Sequence, residues 1–366
     1  MRILHVITSL RTGGAEKLMV DLLPKLRDLG NDVELLLFDG IRTKFMEQLE
    51  RSGIKIHISR VGGSVYYPNN ILYLRNIIKH YDVVHTHNTA PQLFAPFSKE
   101  ITFKNKVKLV TTEHNTTNRR RGKPFFKYLD RWIYSKYDKV ICISNQAEVN
   151  LRQYLNDDTP KICTIFNGID ISHFSNFDIS YELAQDNKEG IIVSMVAAFR
   201  EQKDQQTLIR ALSLVPDNFK LQLVGDGDIC LIEKSKDLVK QLNLLNRVDF
   251  LGMRTDIPAI LKASDIIVLS SHYEGLSLSS LEGMASGRPF VASDVDGIHE
   301  IVDGYGILFP HEDARALADI LMRLSQDMTY AEQIATKCQE RAQQFDIAVM
   351  AQKYNCVYKE LFDNEL

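Results

Sequence analysis

Short aliphatic and β-branched runs alternate with amphipathic stretches along almost the whole chain, and that alternation limits the folds open to it. The first runs are Ile3-Leu4-His5-Val6-Ile7, Asp32-Val33-Glu34-Leu35-Leu36-Leu37-Phe38, Asp82-Val83-Val84-His85, Lys108-Leu109-Val110-Thr111 and Lys139-Val140-Ile141-Cys142-Ile143. Strands this apolar leave no face for water, so they need cover on both sides, which parallel sheets receive from their crossover helices. After Asn167-Gly168 and a polar stretch from Ser172 to Gly190 the alternation restarts. It runs through Ile191-Ile192-Val193-Ser194-Met195-Val196, Leu221-Gln222-Leu223-Val224, Val248-Asp249-Phe250-Leu251, Asp265-Ile266-Ile267-Val268-Leu269 and Pro289-Phe290-Val291-Ala292. The pattern predicts an α/β chain of two doubly wound Rossmann-like domains, residues 1–170 and 171–345, followed by a segment 346–366 of helical periodicity that can pack on either.

In open α/β sheets ligands bind beyond the carboxyl ends of the strands, at helix N-termini, and two such domains place the expected site in a cleft between them. Residues that follow strands therefore matter most. Charge adds direction. The chain of 366 residues has a net charge of -3, yet residues 1–170 carry 26 Lys and Arg against 17 Asp and Glu, and residues 171–366 carry 18 against 30. A basic half joined to an acidic one predicts that the first meets a polyanion, an anionic membrane or a phosphorylated substrate. No apolar stretch approaches the roughly 18 to 20 residues needed to cross a bilayer, and the first run is too short for a signal peptide, so a cytoplasmic protein is expected. The five cysteines, Cys142, Cys163, Cys230, Cys338 and Cys356, show no metal or disulfide spacing and are expected as small core residues.

The densest motif is Ser271-His272-Tyr273-Glu274-Gly275-Leu276-Ser277-Leu278-Ser279-Ser280-Leu281-Glu282-Gly283-Met284-Ala285-Ser286-Gly287-Arg288-Pro289. A strand ends near Ser270 and a helix begins around Ser277 to Ser279, with Glu274 before it and Glu282 one to two turns inside. Loop and helix-start amides at Gly275, Leu276 and Ser277 suit a diphosphate. Glu282 can accept from a ribose diol and Glu274 from a sugar hydroxyl, since carboxylates are strong paired acceptors.

This run, with Glu274 and Glu282 eight apart and Gly283-Met284-Ala285-Ser286-Gly287-Arg288-Pro289 after them, resembles the signature of the retaining GT-B glycosyltransferases of family 4. Gly13-Gly14-Ala15-Glu16 is similar to the family's first glycine loop, Asn167-Gly168-Ile169-Asp170 to its interdomain segment, Val224-Gly225-Asp226-Gly227 to a strand exit of the second domain, and Gly297-Ile298-His299-Glu300-Ile301-Val302 to the loop after the glutamates. The resemblance spans nearly the whole chain. It implies the GT-B fold, an N-terminal acceptor domain, a C-terminal nucleotide-sugar domain, and a last helix crossing back to the first domain.

It further implies transfer of a sugar from a nucleotide-diphosphate donor, UDP- or GDP-linked, to a glycan or lipid-linked acceptor with retention, in bacterial cell-surface polysaccharide synthesis. Lys203 and Arg200 would hold the diphosphate, although the family's usual arginine position is occupied by Ala198. Glu282 would hold the ribose, Glu274 the sugar hydroxyls, Arg254 the nucleobase, with Gly14 and Gly225 on the donor side. His114 resembles the family's active-site histidine, catalytic alongside Glu274, Arg200 and Lys203. No cofactor and no metal are expected: Asp294-Val295-Asp296 and Asp226-Gly227-Asp228 spell DxD, but in this context cationic side chains and a helix N-terminus replace a metal's electrostatics.

His85 and His87 alternate along a strand end and are expected on opposite faces; one of them could line the cleft, but the favoured reading is a satisfied structural histidine. The stretch 118–132, with Arg119, Arg120, Arg121 and Lys123 and the only Trp, interleaves cations and aromatics as a surface on anionic lipid or a lipid diphosphate would. Peripheral contact with an anionic inner membrane is expected, and no nucleic acid. A nucleotide-sugar epimerase or hydrolase, or a non-catalytic binder of nucleotide sugars, are the alternative readings.

Overall fold

In the computed structural model of the chain the described residues are 1–11, 13–60, 62–102, 106–114, 124–175 and 190–363. They form two compact units, Met1–Gly168 with Ile347–Leu366, and Ile169–Asp346.

The first unit is a seven-stranded sheet. Its strands are β1 (Arg2–Ile7), β2 (Asp32–Leu37), β3 (Lys55–Ile58), β4 (Val83–His87), β5 (Lys108–Glu113), β6 (Lys139–Cys142) and β7 (Ile162–Thr164). They lie in the order β3-β2-β1-β4-β5-β6-β7, every neighbouring pair parallel, with Ile3 opposite both Val33 and Val83. Alternate residues feed two cores. Ile3, Ile7, Val33, Leu35 and Leu37 pack with helix Gly14–Asp28 on one side, and Leu4, Val6, Leu36, Val84 and Leu109 pack on the other. This is why the strands are buried on both sides, with even their polar residues His5, His85, Thr86, His87, Thr111 and Thr112 closed off from water.

The last helix, Ile347–Asp363, belongs to this unit: Ile347, Met350, Ala351, Tyr354, Val357 and Tyr358 join the core against Gly14–Asp28. Asn355 accepts a hydrogen bond from Asn31 Nδ2 at 3.0 Å, and the Gly168 amide donates to Met350 sulfur. A buried stripe at three- and four-residue spacing fixes the face that docks.

The second unit has β8 (Ile191–Val196), β9 (Phe219–Val224), β10 (Val248–Gly252), β11 (Ile266–Leu269), β12 (Phe290–Ser293) and β13 (Ile307–Phe309), in the order β10-β9-β8-β11-β12-β13, again all parallel. Counted within the unit that is the Rossmann order 3-2-1-4-5-6, which reverses direction between its first and fourth strands and opens a crevice there. Helix Leu278–Ala285 follows β11 and packs so tightly on β12 that a Cβ at Gly283 would meet the Phe290 ring at 2.6 Å.

Short strands β3, β7 and β13 lie at sheet edges or next to weak signals and are not marked by long apolar runs. Cysteine placement also departs from expectation: Cys142 and Cys338 are buried, but Cys230 and Cys356 are exposed. Among the described residues no helix is long and apolar enough to cross a membrane.

Candidate active site

The second unit gathers its chemistry where strand order reverses. Leaving β8, residues 200–204 run antiparallel to residues 270–272 leaving β11: the Asp204 amide donates to Ser270 O at 2.8 Å, the His272 amide donates to Gln202 O at 2.8 Å, and Lys203 bridges to Ser271. That pairing delivers Lys203 Nζ to Glu274 Oε1. Ser271 Oγ donates to the same oxygen at 2.7 Å and Gln202 Nε2 donates to Oε2 at 3.1 Å. Glu274 is 6% exposed, so three donors offset the desolvation of its charge.

Two glycines make these approaches feasible. Gly297 has φ +81, and a Cβ on it would lie 2.2 Å from the Glu274 carbonyl oxygen; the Glu274 amide in turn donates to Asp296 O at 3.2 Å. Gly225, at φ +145, brings the β9 exit against the β8 exit, where a Cβ would meet Ala197 O at 2.2 Å. Only glycine takes both the conformation and the contact.

After Glu274 comes the Gly275-Leu276-Ser277 loop, with Leu276 and Ser277 buried. Ser277 caps helix Leu278–Ala285, its hydroxyl accepting from the Ser280 amide at 3.4 Å. Glu282 is half-buried one turn inside. Arg200 is exposed and lines, with Lys203, Asp204, Arg210, His272 and Glu312, a cavity of about 630 Å³. Arg254, after β10, is held in a two-point ion pair by Asp256, at 2.8 and 2.6 Å. Thus Lys203 meets Glu274, which leads into the Gly275–Ser277 loop, Arg200 shares the wall of the neighbouring cavity with Lys203, Glu282 lies on the adjoining helix, Gly225 braces the neighbouring loop, and Arg254 is engaged by its own partner.

Three of the four DxD carboxylates have local duties. Asp228 caps helix Ile229–Gln241 through the Cys230 amide, Asp226 accepts from Gly227 N at 2.8 Å, and Asp294 pairs with His299 at 2.7 Å. His299 is raised above its ordinary value by its hydrogen bond to Asp294.

In the first unit, Gly14 opens helix Gly14–Asp28 just beyond β1, and half-buried His114 follows β5. His114 Nε2 lies 3.0 Å from His87 Nδ1. Burial pushes His114 down to about 4, so it is neutral near neutral pH. The expectation of opposite faces for His85 and His87 is wrong: residues two apart on a strand share a face, and their ring centroids stand 4.5 Å apart, both fully buried. Arg119, Arg120, Arg121 and Lys123 lie outside the described residues. Trp132, from the same stretch, packs on Phe97 with centroids 4.7 Å apart.

Sequence reasoning missed Ser271 and Gln202 as partners of Glu274. Their only signal was position, since both follow strands on either side of the reversal in strand order.

Residues 12–173 match the model of Glycosyltransferase Family 4, and residues 190–327 match that of Glycosyl transferases group 1. Among curated relatives, the UDP-Gal:alpha-D-GlcNAc-diphosphoundecaprenol alpha-1,3-galactosyltransferase of Escherichia coli is 28% identical over 68% of this chain and 67% of its own length. N-acetyl-alpha-D-glucosaminyl L-malate synthase of Bacillus anthracis is 27% identical over 78% and 76%. The solved structure of Anabaena HepE with UDP and glucose superposes with a TM-score of 0.86 at 22% identity, covering 98% of this chain and 100% of that one, which shows a shared fold. Each half of the family thus finds its own sheet here, and the chain belongs to the family 4, group 1 glycosyltransferases, enzymes of the GT-B fold.

Proposed function

We propose that the chain transfers a sugar, with retention at the anomeric carbon, from a UDP-linked donor to a lipid-linked glycan acceptor, without a metal. The observation that carries the donor side is Glu274, nearly buried beside Lys203 and the Gly275–Ser277 loop at a helix start. A diphosphate drawn to Lys203 and Arg200 competes with Glu274 for the ammonium, and sugar hydroxyls then replace it as donors to the carboxylate. Glu282 takes the ribose diol and Arg254 borders the base. Gly14 and Gly225 leave room for backbone approach, and His114 accepts from a sugar hydroxyl. Charge develops on the departing diphosphate, so fixed cations and amides aimed at it lower the barrier more than they favour the bound donor.

The choice of UDP and of a lipid-linked diphosphate acceptor is supported by the named substrates of the Escherichia coli relative, and by a Campylobacter jejuni relative described as an N,N'-diacetylbacillosaminyl-diphospho-undecaprenol alpha-1,3-N-acetylgalactosaminyltransferase, 28% identical over 63% of the chain. Residues 119–123, in the basic half, are assigned to the acceptor's phosphates or to anionic lipid.

Calorimetry with UDP-, GDP- and ADP-sugars tests the donor, with tightest binding expected for UDP. Glu282→Ala and Lys203→Ala each weaken it about tenfold or more, the loss of roughly one strong hydrogen bond or ion pair; wild-type affinity in both sinks the assignment. Nucleotide release that needs acceptor separates a transferase from a hydrolase, and binding without release marks a lost activity. Activity abolished by EDTA and restored by manganese overturns the metal-free reading.

A further inference from the structure

His114 stands at the end of a chain of buried polar groups. From it, His87 Nδ1 lies at 3.0 Å, and His87 Nε2 lies 3.0 Å from His5 Nδ1. His5 Nε2 is 3.5 Å from the Tyr358 hydroxyl, which is 2.6 Å from His85 Nδ1. His85 Nε2 reaches Thr112 Oγ1 at 2.8 Å, and Tyr354 follows at 3.1 Å. Strands β1, β4 and β5 supply His5, His85, His87 and Thr112, His114 follows β5, and helix Ile347–Asp363 supplies the tyrosines. His5, His85, His87, Tyr354 and Tyr358 are fully buried.

Burial holds all four histidines neutral: His5 is pushed down to about 3, His114 to about 4, and His85 and His87 well below their ordinary value. A neutral imidazole donates from one nitrogen and accepts at the other. Three of them joined nitrogen to nitrogen must therefore all donate in the same sense, toward His114 or away from it.

Tyr358 decides the sense, because its hydroxyl has one proton and two imidazole neighbours. A separation of 2.6 Å is short for a ring N–H donor and ordinary for a hydroxyl donor, so Tyr358 donates to His85. Its oxygen is then left to accept from His5 Nε2. His5 Nδ1 accepts from His87 Nε2, and His87 Nδ1 accepts from His114 Nε2.

We propose that Tyr358, acting through His5 and His87, is a positioning residue that locks His114 as the Nε2–H tautomer and leaves Nδ1 as an acceptor for a substrate hydroxyl. The substrate clause rests on the transferase reading; the tautomer does not. His5, His85 and His87 are also close enough together to suggest a metal. Yet His5 Nδ1 and His87 Nε2 point at one another, in rings inclined by only 10°, and both His85 nitrogens are engaged. Metal ligands instead converge on one point about 2.0–2.1 Å from each nitrogen.

Two-bond proton–nitrogen NMR of the full chain with labelled histidine reads each tautomer directly. His114, His87 and His5 should show a protonated Nε2 and a bare Nδ1 at neutral pH; a protonated Nδ1 on His114 overturns the proposal. Tyr358→Phe should release His114 to a mixture or to Nδ1–H, while Tyr354→Phe in the same helix leaves it unchanged. If Tyr358→Phe does not fold, His87→Gln breaks the chain one link from His114 and should release it likewise. An Nε2–H His114 in the folded variants, or a zinc-dependent shift of the His5 and His87 nitrogens in EDTA-treated protein, refutes the proposal. With UDP-sugar and acceptor, Tyr358→Phe should lower kcat about tenfold, with donor KM within about twofold, as loss of one aligned acceptor predicts. A locked tautomer with His114 Nδ1 unmoved by donor or acceptor would leave the relay standing and remove only the substrate role.

Discussion

Glu274 shows how individual residues divide the work of the donor site. Its carboxylate is nearly buried, and Lys203, Ser271 and Gln202 each cover part of it. Removing the cation alone leaves a buried charge uncompensated, which costs about 3 kcal/mol in comparable pairs. Lys203→Met should therefore lower stability by about that amount in urea unfolding, and adding Glu274→Gln should restore more than half; strictly additive losses would show that the pair is not coupled. Gly297 is the second sensitive position. An alanine there meets the Glu274 carbonyl in a left-handed conformation, so Gly297→Ala should cost about 2 kcal/mol and weaken donor binding together, as a melting curve and a titration would reveal. Both glutamates were legible from their spacing and glycine-serine setting. Ser271 and Gln202 were not, because a hydroxyl or amide one or two residues off a motif looks like any loop residue until the strands place it.

The elements that sequence announced most clearly were strands with apolar runs, since burial on both faces leaves a plain signature. Edge strand β3 was missed because its Lys55-Ile56-His57-Ile58 segment is only half-covered and reads like a loop. Helix Ile347–Asp363 was legible as a helix from its periodicity, while its docking face was decided by contacts more than 300 residues away, such as Asn31 with Asn355. Ending the chain at Asp346 should expose the core surface that Met350, Tyr354 and Tyr358 cover. The loss of several fully buried side chains, at about 2 kcal/mol or more each, is comparable to the whole stability of a domain. The truncated protein should be insoluble, or lack the near-ultraviolet circular dichroism of packed tyrosines; a soluble, cooperatively melting product would contradict this.

For the molecule as a whole, the histidine cluster sets how stability responds to acid. Unfolded histidines titrate near pH 6.5, whereas His5, His85, His87 and His114 resist protonation until much lower pH because they are buried. The unfolded chain then binds more protons, so stability falls as pH drops below about 6.5 and continues to fall toward about 4, by about 1.4 kcal/mol per pH unit for each histidine that stays neutral. All four lie in the first unit, so calorimetry at pH 7.5 and pH 5 should show its transition moving down more than that of the second unit; equal shifts would count against the assignment. Charge acts at the same scale: vesicles of anionic lipid should recruit the protein at low salt and release it as screening shortens the reach of the basic half, and indifference to lipid charge would remove the membrane contact while leaving the transferase intact. By itself the sequence determined two parallel α/β units, their strand-following glycines and the paired glutamates, because apolar periodicity and special backbone geometry are local demands written in consecutive residues. Only the tertiary structure decided that Lys203 meets Glu274 and that His85 and His87 share a face with His5 under Tyr358. Those partnerships join distant segments, and no local pattern specifies which strand ends the fold will place side by side.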